Sequence, residues 1–285
     1  MLMRFLSGLV GIPLLIILVF VNQGMPFVVG LGLISIIALW EFYSGVRRTG
    51  AEPQEWVGFA CAFLFLYAAR DEFRANLSMP AVLTFFVIAT LTVELLQKNR
   101  SPIKNLGSTF LGVIYVGWLF SYLVAINSVG VKDGFRFAVV PVGMSVRCGA
   151  WLVLYIIFVV WASDTGAYLI GRKWGKHHLA PKLSPGKSWE GFAAGMASAM
   201  VMSLLMGLAV GAVWWHLVIL AVGIGIAGLV GDLAESAMKR DLGIKDFGSI
   251  LPGHGGALDR FDGLLFAAPL FYYYIKHFTH AFPIR

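Results

Sequence analysis

Long apolar runs, separated by short polar stretches, recur along the whole chain. An α-helix rises 1.5 Å per residue, so a run of about 20 apolar residues crosses the ~30 Å hydrocarbon core of a bilayer. The pattern therefore predicts an all-α, polytopic integral membrane protein. About nine transmembrane helices are expected, near residues 5–22, 25–45, 56–70, 79–96, 107–127, 148–171, 191–213, 216–232 and 262–279.

The composition agrees with a chain that is surrounded by lipid. Hydrophobic residues make up 59% of the 285 residues and charged residues only 13%, whereas a soluble domain has about 25% charged residues. A lipid bilayer can solvate this much apolar surface, and water cannot. No soluble domain of ordinary size fits between the apolar runs.

The distribution of Lys and Arg among the loops indicates the orientation. A net charge of +7 would suggest a nucleic-acid partner in a soluble protein, but in a membrane protein basic residues concentrate in cytoplasmic loops. With a cytoplasmic N-terminus, the inner loops carry roughly twice as many Lys and Arg residues as the outer loops. This places the polar loops near 172–190 and 233–261 on the cytoplasmic side. We predict a protein of the cytoplasmic (inner) membrane, with its active site on the cytoplasmic face and no nucleic-acid partner.

The positions of the acidic residues along the chain indicate two regions. Of the 15 Asp and Glu residues, eight lie between residues 164 and 262: Asp164, Glu190, Asp232, Glu235, Asp241, Asp246, Asp259 and Asp262. A carboxylate at membrane depth is costly unless a cation pairs with it, so the clustering indicates a functional site. We predict an N-terminal region of about five transmembrane helices over residues 1–147 and a catalytic transmembrane region over residues 148–285.

Four polar residues follow the eighth apolar run with helical spacing. Nothing between residues 231 and 240 breaks a helix, so positions i, i+3, i+4 and i+7 share one face. These positions hold Asp232, Glu235, Ser236 and Lys239. Because Asp232 directly follows an apolar run, it should lie at membrane depth, which favours a functional role. The alternative is a solvated helix end whose charged stripe is incidental.

A glycine-rich segment follows, from residue 241 to residue 256. Glycine lets the backbone approach a ligand closely and turn its N–H groups toward phosphate oxygens. Asp259 and Asp262 are three residues apart at the start of the last predicted helix, which predicts that they share one face. Hard oxygen ligands placed in this way suit Mg²⁺. His254, flanked by glycines, could bind or protonate a phosphate oxygen, and a structural role in the turn is the alternative.

The other polar loop contains Gly186-Lys187-Ser188, which is similar to the end of a phosphate-binding P-loop. We reject this motif because Pro181 stands where the P-loop requires glycine and no strand is predicted before it. Lys187 and Ser188 can still contact phosphate. Either Ser184 or Ser188 is expected to cap the helix that follows.

Two further features have ordinary structural explanations. The segment 223–228 matches the GxGxxG pattern of dinucleotide-binding proteins, but it lies inside an apolar run, where small residues let helices pack closely. Cys61 and Cys148 stand in apolar segments without partners at metal-ligand spacing. We expect two buried thiols and neither a disulfide framework nor a zinc site.

Several segments near the C-terminus match a known family. They are Ser236-Ala237-Met238-Lys239-Arg240, Lys245-Asp246, Leu251-Pro252-Gly253-His254-Gly255-Gly256 and Asp259-Arg260-Phe261-Asp262. This signature resembles that of the phosphatidate cytidylyltransferases, also called CDP-diacylglycerol synthases. The segment 184–191 resembles the family's SPxKS/TxEG segment, and Trp40-Glu41 resembles its early acidic helix.

The resemblance implies a homodimer of nine-helix protomers that uses CTP, phosphatidic acid and a divalent cation. The family's aspartates are metal ligands, which carries over to Asp232, Asp259 and Asp262. The closest alternative is another CTP-dependent lipid enzyme, such as a polyprenol kinase or an ether-lipid cytidylyltransferase. A transporter is less favoured, because the charged cluster lies at one membrane face and no inverted repeat is evident.

These inferences assign roles to individual residues. Catalytic roles in neutralising or protonating phosphates are predicted for Lys239, Arg240, Lys245, His254 and Arg260. Substrate binding is predicted for Ser184, Lys187, Ser188, Glu190, Ser236, Gly255 and Gly256, and Glu190 is expected to orient Lys187. The predicted ligands of Mg²⁺, with a second divalent cation or K⁺ as an addition, are Asp232, Asp259 and Asp262, with Asp164 and Asp246 as further candidates.

Overall fold

A computed structural model of the chain describes residues 12–71, 78–97, 101–130, 136–139, 144–248, 255–278 and 282. The start of the first predicted span and the predicted catalytic residue His254 lie outside the described residues. Within them, the structure is predominantly helical, as the apolar pattern predicts.

The first half of the chain contains six helices within the described residues. They are α1 (12–20), α2 (Met25–Arg47), α3 (Glu55–Asp71), α4 (Met79–Leu96), α5 (Pro102–Gly112) and α6 (Leu119–Ser128). A π-helical segment, Val113–Trp118, joins α5 to α6. The second half contains α7 (Cys148–Trp174), α8 (Trp189–Leu208), α9 (Trp214–Asp241) and α10 (Asp262–His277).

Two short antiparallel hairpins interrupt the helices, and the sequence pattern did not predict either of them. In the first, β1 (Arg136–Val139) pairs with β2 (Met144–Arg147). In the second, β3 (His178–Ala180) pairs with β4 (Ser184–Ser188). A strand therefore does precede Pro181, and Gly186-Lys187-Ser188 lies within β4. The expected absence of a strand was one reason for rejecting a P-loop, and the structure corrects it. The other reason, the missing glycine at position 181, still applies.

Six helical segments of the described chain are long and apolar enough to cross a bilayer: Met25–Arg47, Met79–Leu96, Pro102–Ser128, Cys148–Trp174, Trp189–Leu208 and Trp214–Asp241. This supports an integral membrane protein, but the predicted count of nine is not confirmed. Two other helices, α3 with 17 residues and α10 with 16 residues, fall short in length.

Two of the differences from the predicted helix boundaries have a clear local cause. The turn between the seventh and eighth predicted spans comes earlier, because α8 ends at Leu208 and Gly211 takes the left-handed φ of 76° that a side chain disfavours. At the other boundary, α10 begins at Asp262, while Asp259 lies in a separate 3-10 turn, Leu258–Arg260. The prediction that Asp259 and Asp262 share one helical face is therefore wrong. Phe261, with φ near −117° and ψ near 0°, interrupts the helix between them.

The chain forms two compact units. The N-terminal unit comprises residues 1–125 and 239–261, and the C-terminal unit comprises residues 126–238 and 262–285. The core of the N-terminal unit is aromatic, with fully buried Phe42, Tyr43 and Phe120. The predicted functional division at residue 147 stays a prediction.

Glycines bring the helices of the C-terminal unit close together. A Cβ atom added to Gly191 would lie 2.8 Å from the backbone oxygen of Ala167, and one added to Gly195 would lie 2.9 Å from that of Ser163. On α9, a Cβ atom at Gly225 would collide with Met196. The GxGxxG pattern is therefore part of a helix-packing surface, as predicted. Cys61 and Cys148 are buried free thiols, also as predicted.

Candidate active site

Three carboxylates of the C-terminal unit converge at the junction of α9 and α10. Asp232 and Glu235 lie one turn apart on α9, and Asp262 is the first residue of α10. One carboxylate oxygen of each residue lies within 4.8 Å of the others. We call these three residues the acidic cluster. The sequence placed Asp232 and Asp262 among the metal ligands, but Glu235 was missing from that set, although its i+3 spacing from Asp232 was a usable signal.

Glycines again permit this approach. A Cβ atom on Gly231 would lie 2.5 Å from the backbone oxygen of Asp262, so a larger residue at position 231 would push α10 away. Gly263 faces Gly228 of α9, and a Cβ atom on it would lie 3.3 Å from the Gly228 Cα atom. The amide of Gly263 also donates to Oδ1 of Asp262 at 2.6 Å, which fixes that carboxylate at the start of the helix.

The donor set of the acidic cluster fits a hard divalent cation. Three carboxylates this close repel one another, so a cation between them relieves a cost that burial increases. Glu235 is fully buried. Oxygen-only ligands favour Mg²⁺, Ca²⁺ or Mn²⁺ over zinc, which prefers nitrogen and sulfur. The described residues thus could hold the divalent cation that the sequence predicted, with Glu235 as an additional ligand.

Lys187 provides a positive charge beside the acidic cluster. Its Nζ atom lies 2.7 Å from Oδ2 of Asp232, and only 19% of its side chain is exposed. The hairpin of β3 and β4 delivers this lysine immediately before α8. As predicted, Ser188 caps α8: its Oγ atom accepts a hydrogen bond from the amide of Gly191 at 3.1 Å. Lys187 is therefore held by a defined turn and an ion pair.

Glu190 contacts the segment that follows α7, and its predicted role in substrate binding stays a prediction. Its Oε1 atom lies 2.5 Å from Nδ1 of His177, and its Oε2 atom accepts hydrogen bonds from the amides of Lys176 and His177. These contacts tie the segment between α7 and β3 to the start of α8. The expectation that Glu190 orients Lys187 is not what the structure shows, because the ion pair of Lys187 is with Asp232.

A cavity of about 240 Å³ lies among α7, α8, α9 and β4. Its charged residues are Asp164, Lys187 and Asp232, and most of the remaining wall is apolar or glycine. Asp164, a further candidate metal ligand, thus lines the same cavity as Asp232. A cavity that combines charged residues with a largely apolar wall suits an amphiphilic molecule whose anionic group meets the lysine.

The N-terminal unit contains a second charged centre, formed by Lys239 and Asp259. Nζ of Lys239 donates to Oδ1 of Asp259 at 2.8 Å, and the two side chains are only 14% and 8% exposed. Oδ2 of Asp259 accepts the amides of Phe247 and Gly256 at 3.1 and 2.9 Å. Gly255 has a left-handed φ of 79°, so the turn requires glycine there. Asp259 therefore organises this turn, and its role as a metal ligand stays a prediction.

The other predicted residues are divided between the two units. On the N-terminal unit, exposed positions are held by Arg240, Lys245, Asp246 and Arg260. On α9, the hydroxyl of Ser236 lies 3.5 Å from Oδ1 of Asp232. Ser184 begins β4, opposite Ala180. The roles of these residues in substrate binding or catalysis stay predictions.

Replacing Lys239 with alanine should destabilise the N-terminal unit. The change removes the cation that donates to the mostly buried Asp259, and breaking a buried ion pair in this way costs about 3 to 5 kcal/mol. We expect a lower melting temperature in detergent, measured by tryptophan fluorescence. The Lys239→Ala/Asp259→Asn double variant should recover part of the loss, because the buried negative charge is gone as well. An unchanged melting temperature in Lys239→Ala would show that this pair contributes little to stability.

Known proteins resemble this chain over nearly its whole length. A model of the cytidylyltransferase family matches residues 2–278. The chain is 30% identical to the phosphatidate cytidylyltransferase of Bacillus subtilis (strain 168), over 97% of this chain and 98% of that protein. It is 31% identical to that of Haemophilus influenzae, over 95% and 97%, and 34% identical to that of Staphylococcus haemolyticus, over 84% and 85%. The similarity covers both compact units.

Proposed function

Because the chain belongs to the cytidylyltransferase family, we propose that the acidic cluster and Lys187 transfer a cytidylyl group to a lipid phosphate. The chain uses CTP and phosphatidic acid and forms CDP-diacylglycerol and pyrophosphate, the activity for which its relatives are named. The alternatives drawn from the sequence, a polyprenol kinase, an ether-lipid cytidylyltransferase or a transporter, are not favoured.

The observation that carries this proposal is the ion pair of Lys187 with a member of the acidic cluster, beside a cavity with apolar walls. In the reaction, an oxygen of phosphatidate forms a bond to the α-phosphorus of CTP. The bond between that phosphorus and the oxygen bridging to the β-phosphate breaks, and pyrophosphate leaves. A phosphate monoester has its second pKa near 6, so the attacking oxygen is already ionised at neutral pH and requires no general base.

The main requirement is therefore to bring two polyanions together. Asp232, Glu235 and Asp262 would hold Mg²⁺, and a bound divalent cation supplies positive charge to phosphoryl oxygens. Lys187 would donate charge-assisted hydrogen bonds to a phosphate oxygen from the cavity wall. The apolar walls would hold the adjoining part of the lipid and exclude water, which strengthens these electrostatic contacts. The proposal also includes a second divalent cation or K⁺. Further contacts to the phosphates are assigned to Lys239, Arg240, Lys245 and Arg260.

The six apolar helices indicate an integral membrane protein, and the relatives named above are bacterial. We place this protein in the cytoplasmic (inner) membrane with its active site on the cytoplasmic face, where CTP is available. The excess of Lys and Arg in the loops near 172–190 and 233–261 supports this orientation. We further propose a homodimer, as the family resemblance implies.

Cysteine labelling tests the orientation. In a Cys61→Ala/Cys148→Ala background, single cysteines replace the exposed Lys182 and Lys245. Both should react with a membrane-impermeant maleimide in inside-out vesicles and be protected in right-side-out vesicles. A cysteine at position 132, in a predicted outer loop, should show the reverse pattern. Labelling of the two loops from opposite sides would contradict a single cytoplasmic active site.

The activity is tested with purified protein, CTP labelled in the cytidine, phosphatidic acid and Mg²⁺. We expect lipid-extractable label and an equal amount of pyrophosphate, both dependent on phosphatidic acid. Parallel reactions with a polyprenol or an ether-linked lipid acceptor separate the alternatives. Faster transfer of the label to the ether-linked acceptor, or release of CDP in place of pyrophosphate with the polyprenol, would overturn the proposed function.

A further inference from the structure

A carboxylate that is distant in sequence from the acidic cluster contacts the residues that directly follow the glycine-rich segment. Glu41 is on α2, and its side chain is fully buried. Its Oε2 atom accepts a hydrogen bond from the amide of Leu258 at 3.1 Å, across a sequence separation of 217 residues. The amide of Ala257 also donates to this carboxylate. Burying a glutamate in an apolar helix costs free energy, so a residue of this kind indicates a functional role.

The glycines that surround Glu41 leave room only for its carboxylate. A Cβ atom on Gly248 would overlap Oε1 of Glu41, and a Cβ atom on Gly256 would lie 2.6 Å from Oε2. These two glycines bracket the part of the segment that holds His254. The glutamate therefore fits between the two ends of this segment, and at both ends glycine is required for close approach.

The same face of α2 supports the beginning of the segment. Phe42 packs against Phe247, with ring centroids 5.7 Å apart. A Cβ atom on Gly45 would lie 3.4 Å from the side chains of Leu242, Ile244 and Phe247. Apolar contacts thus seat residues 242–247 on α2, and Glu41 provides the polar contact that fixes residues 257 and 258.

The turn that Glu41 holds also carries Asp259. Gly256 donates its amide to Oδ2 of Asp259, and Leu258 directly precedes that aspartate. Asp259 in turn accepts a hydrogen bond from Lys239, a predicted phosphate-binding residue. A displacement of residues 256–258 would therefore move Asp259 and disturb its contact with Lys239.

We propose that Glu41 is a positioning residue for cytidylyl transfer, which acts through the backbone of residues 257 and 258 to place Asp259 and Lys239. The inference rests on the proposed function, since it assigns those two residues to the reaction. Glu41 itself contacts backbone amides, so it is not a catalytic residue. A purely structural role differs in one respect: it would affect the amount of folded protein without changing the reaction of the molecules that are folded.

Two substitutions of Glu41 and one of Gly248 test this inference. Glu41→Gln keeps one oxygen acceptor but loses the charge, and a neutral acceptor bonds more weakly than a carboxylate, so kcat should fall about fivefold. Glu41→Leu removes both acceptors and should reduce kcat by at least about tenfold. Gly248→Ala keeps the glutamate but pushes on its carboxylate, and should reduce kcat in the same direction. The matched control is Ser35→Ala, which removes another fully buried polar group from α2.

For each variant we would measure kcat per folded molecule, the KM for CTP and the Mg²⁺ concentration that gives half-maximal rate. The melting temperature of the same variant is measured in parallel. We expect a lower kcat and a higher Mg²⁺ requirement in the Glu41 variants, and wild-type values in Ser35→Ala. Should Glu41→Leu fail to fold, Glu41→Gln and Gly248→Ala decide the question. Wild-type kcat and Mg²⁺ dependence in both, whatever their melting temperatures, would overturn the positioning role. Absence of CDP-diacylglycerol from the wild-type protein would instead overturn the proposed function.

Discussion

Replacing Asp262 with asparagine is expected to reduce kcat by more than a hundredfold while the protein stays folded. Loss of a residue that merely supports a metal ligand costs about 10- to 100-fold in affinity or activity, and loss of a ligand should cost more. Asparagine keeps the shape and one oxygen of the side chain but removes the negative charge that attracts a hard cation. Asp262 lies in the acidic cluster with Asp232 and Glu235, so the remaining carboxylates would form a weaker site.

A helix-capping role for Asp262 predicts a different outcome. Its Oδ1 atom accepts the amide of Gly263, and loss of a cap costs about 1 kcal/mol of stability with little effect on rate. Steady-state kinetics over a range of Mg²⁺ and Mn²⁺ concentrations, together with melting temperatures, separate the two roles. Partial rescue by high Mn²⁺ would support a weakened metal site. Asp241→Asn, at the exposed end of α9, is the control, and an Asp262→Asn variant that retained most of its activity would refute the assignment of this ligand.

Replacing Lys187 with alanine is expected to reduce kcat/KM for CTP by roughly 10- to 150-fold. A hydrogen bond to a charged group contributes about 1.5 to 3 kcal/mol, and each 1.4 kcal/mol corresponds to a tenfold change. The substitution also removes the positive charge beside Asp232, which lies 2.7 Å from Nζ in the structure. The defect should therefore combine weaker phosphate binding with stronger repulsion between the acidic cluster and the substrates.

Lys182→Ala is the matched control for this experiment. Lys182 lies in the turn of the same hairpin and is exposed, so its loss changes the local net charge equally without removing the contact to Asp232. Lys187→Arg adds a second comparison, because it keeps the charge and changes the shape. Equal rates for Lys187→Ala and Lys182→Ala would show that Lys187 is an ordinary surface charge.

Helices were the part of this protein that the sequence predicted best. Helix α9 illustrates why: it is apolar up to Gly231, and no helix-breaking residue follows before Gly243, which has a left-handed φ of 66°. Local spacing therefore placed Asp232 and Glu235 on one face of it. The spacing argument failed for Asp259 and Asp262, because Phe261 leaves the helical conformation between them. It also missed the hairpin of β3 and β4, whose strands of three and five residues carry no clear alternation.

The sequence by itself determined that this chain is a helical membrane protein of the cytidylyltransferase family, since hydrophobicity, helical spacing and a signature motif are all read along the chain. Only the tertiary structure decided which charges meet. It placed Glu235 with Asp232 and Asp262, paired Lys187 with Asp232 instead of Glu190, and joined Lys239 to Asp259. It also brought Glu41 to Leu258. These contacts depend on which helix faces pack together and on where glycine permits close approach, and neither is encoded in the spacing of neighbouring residues.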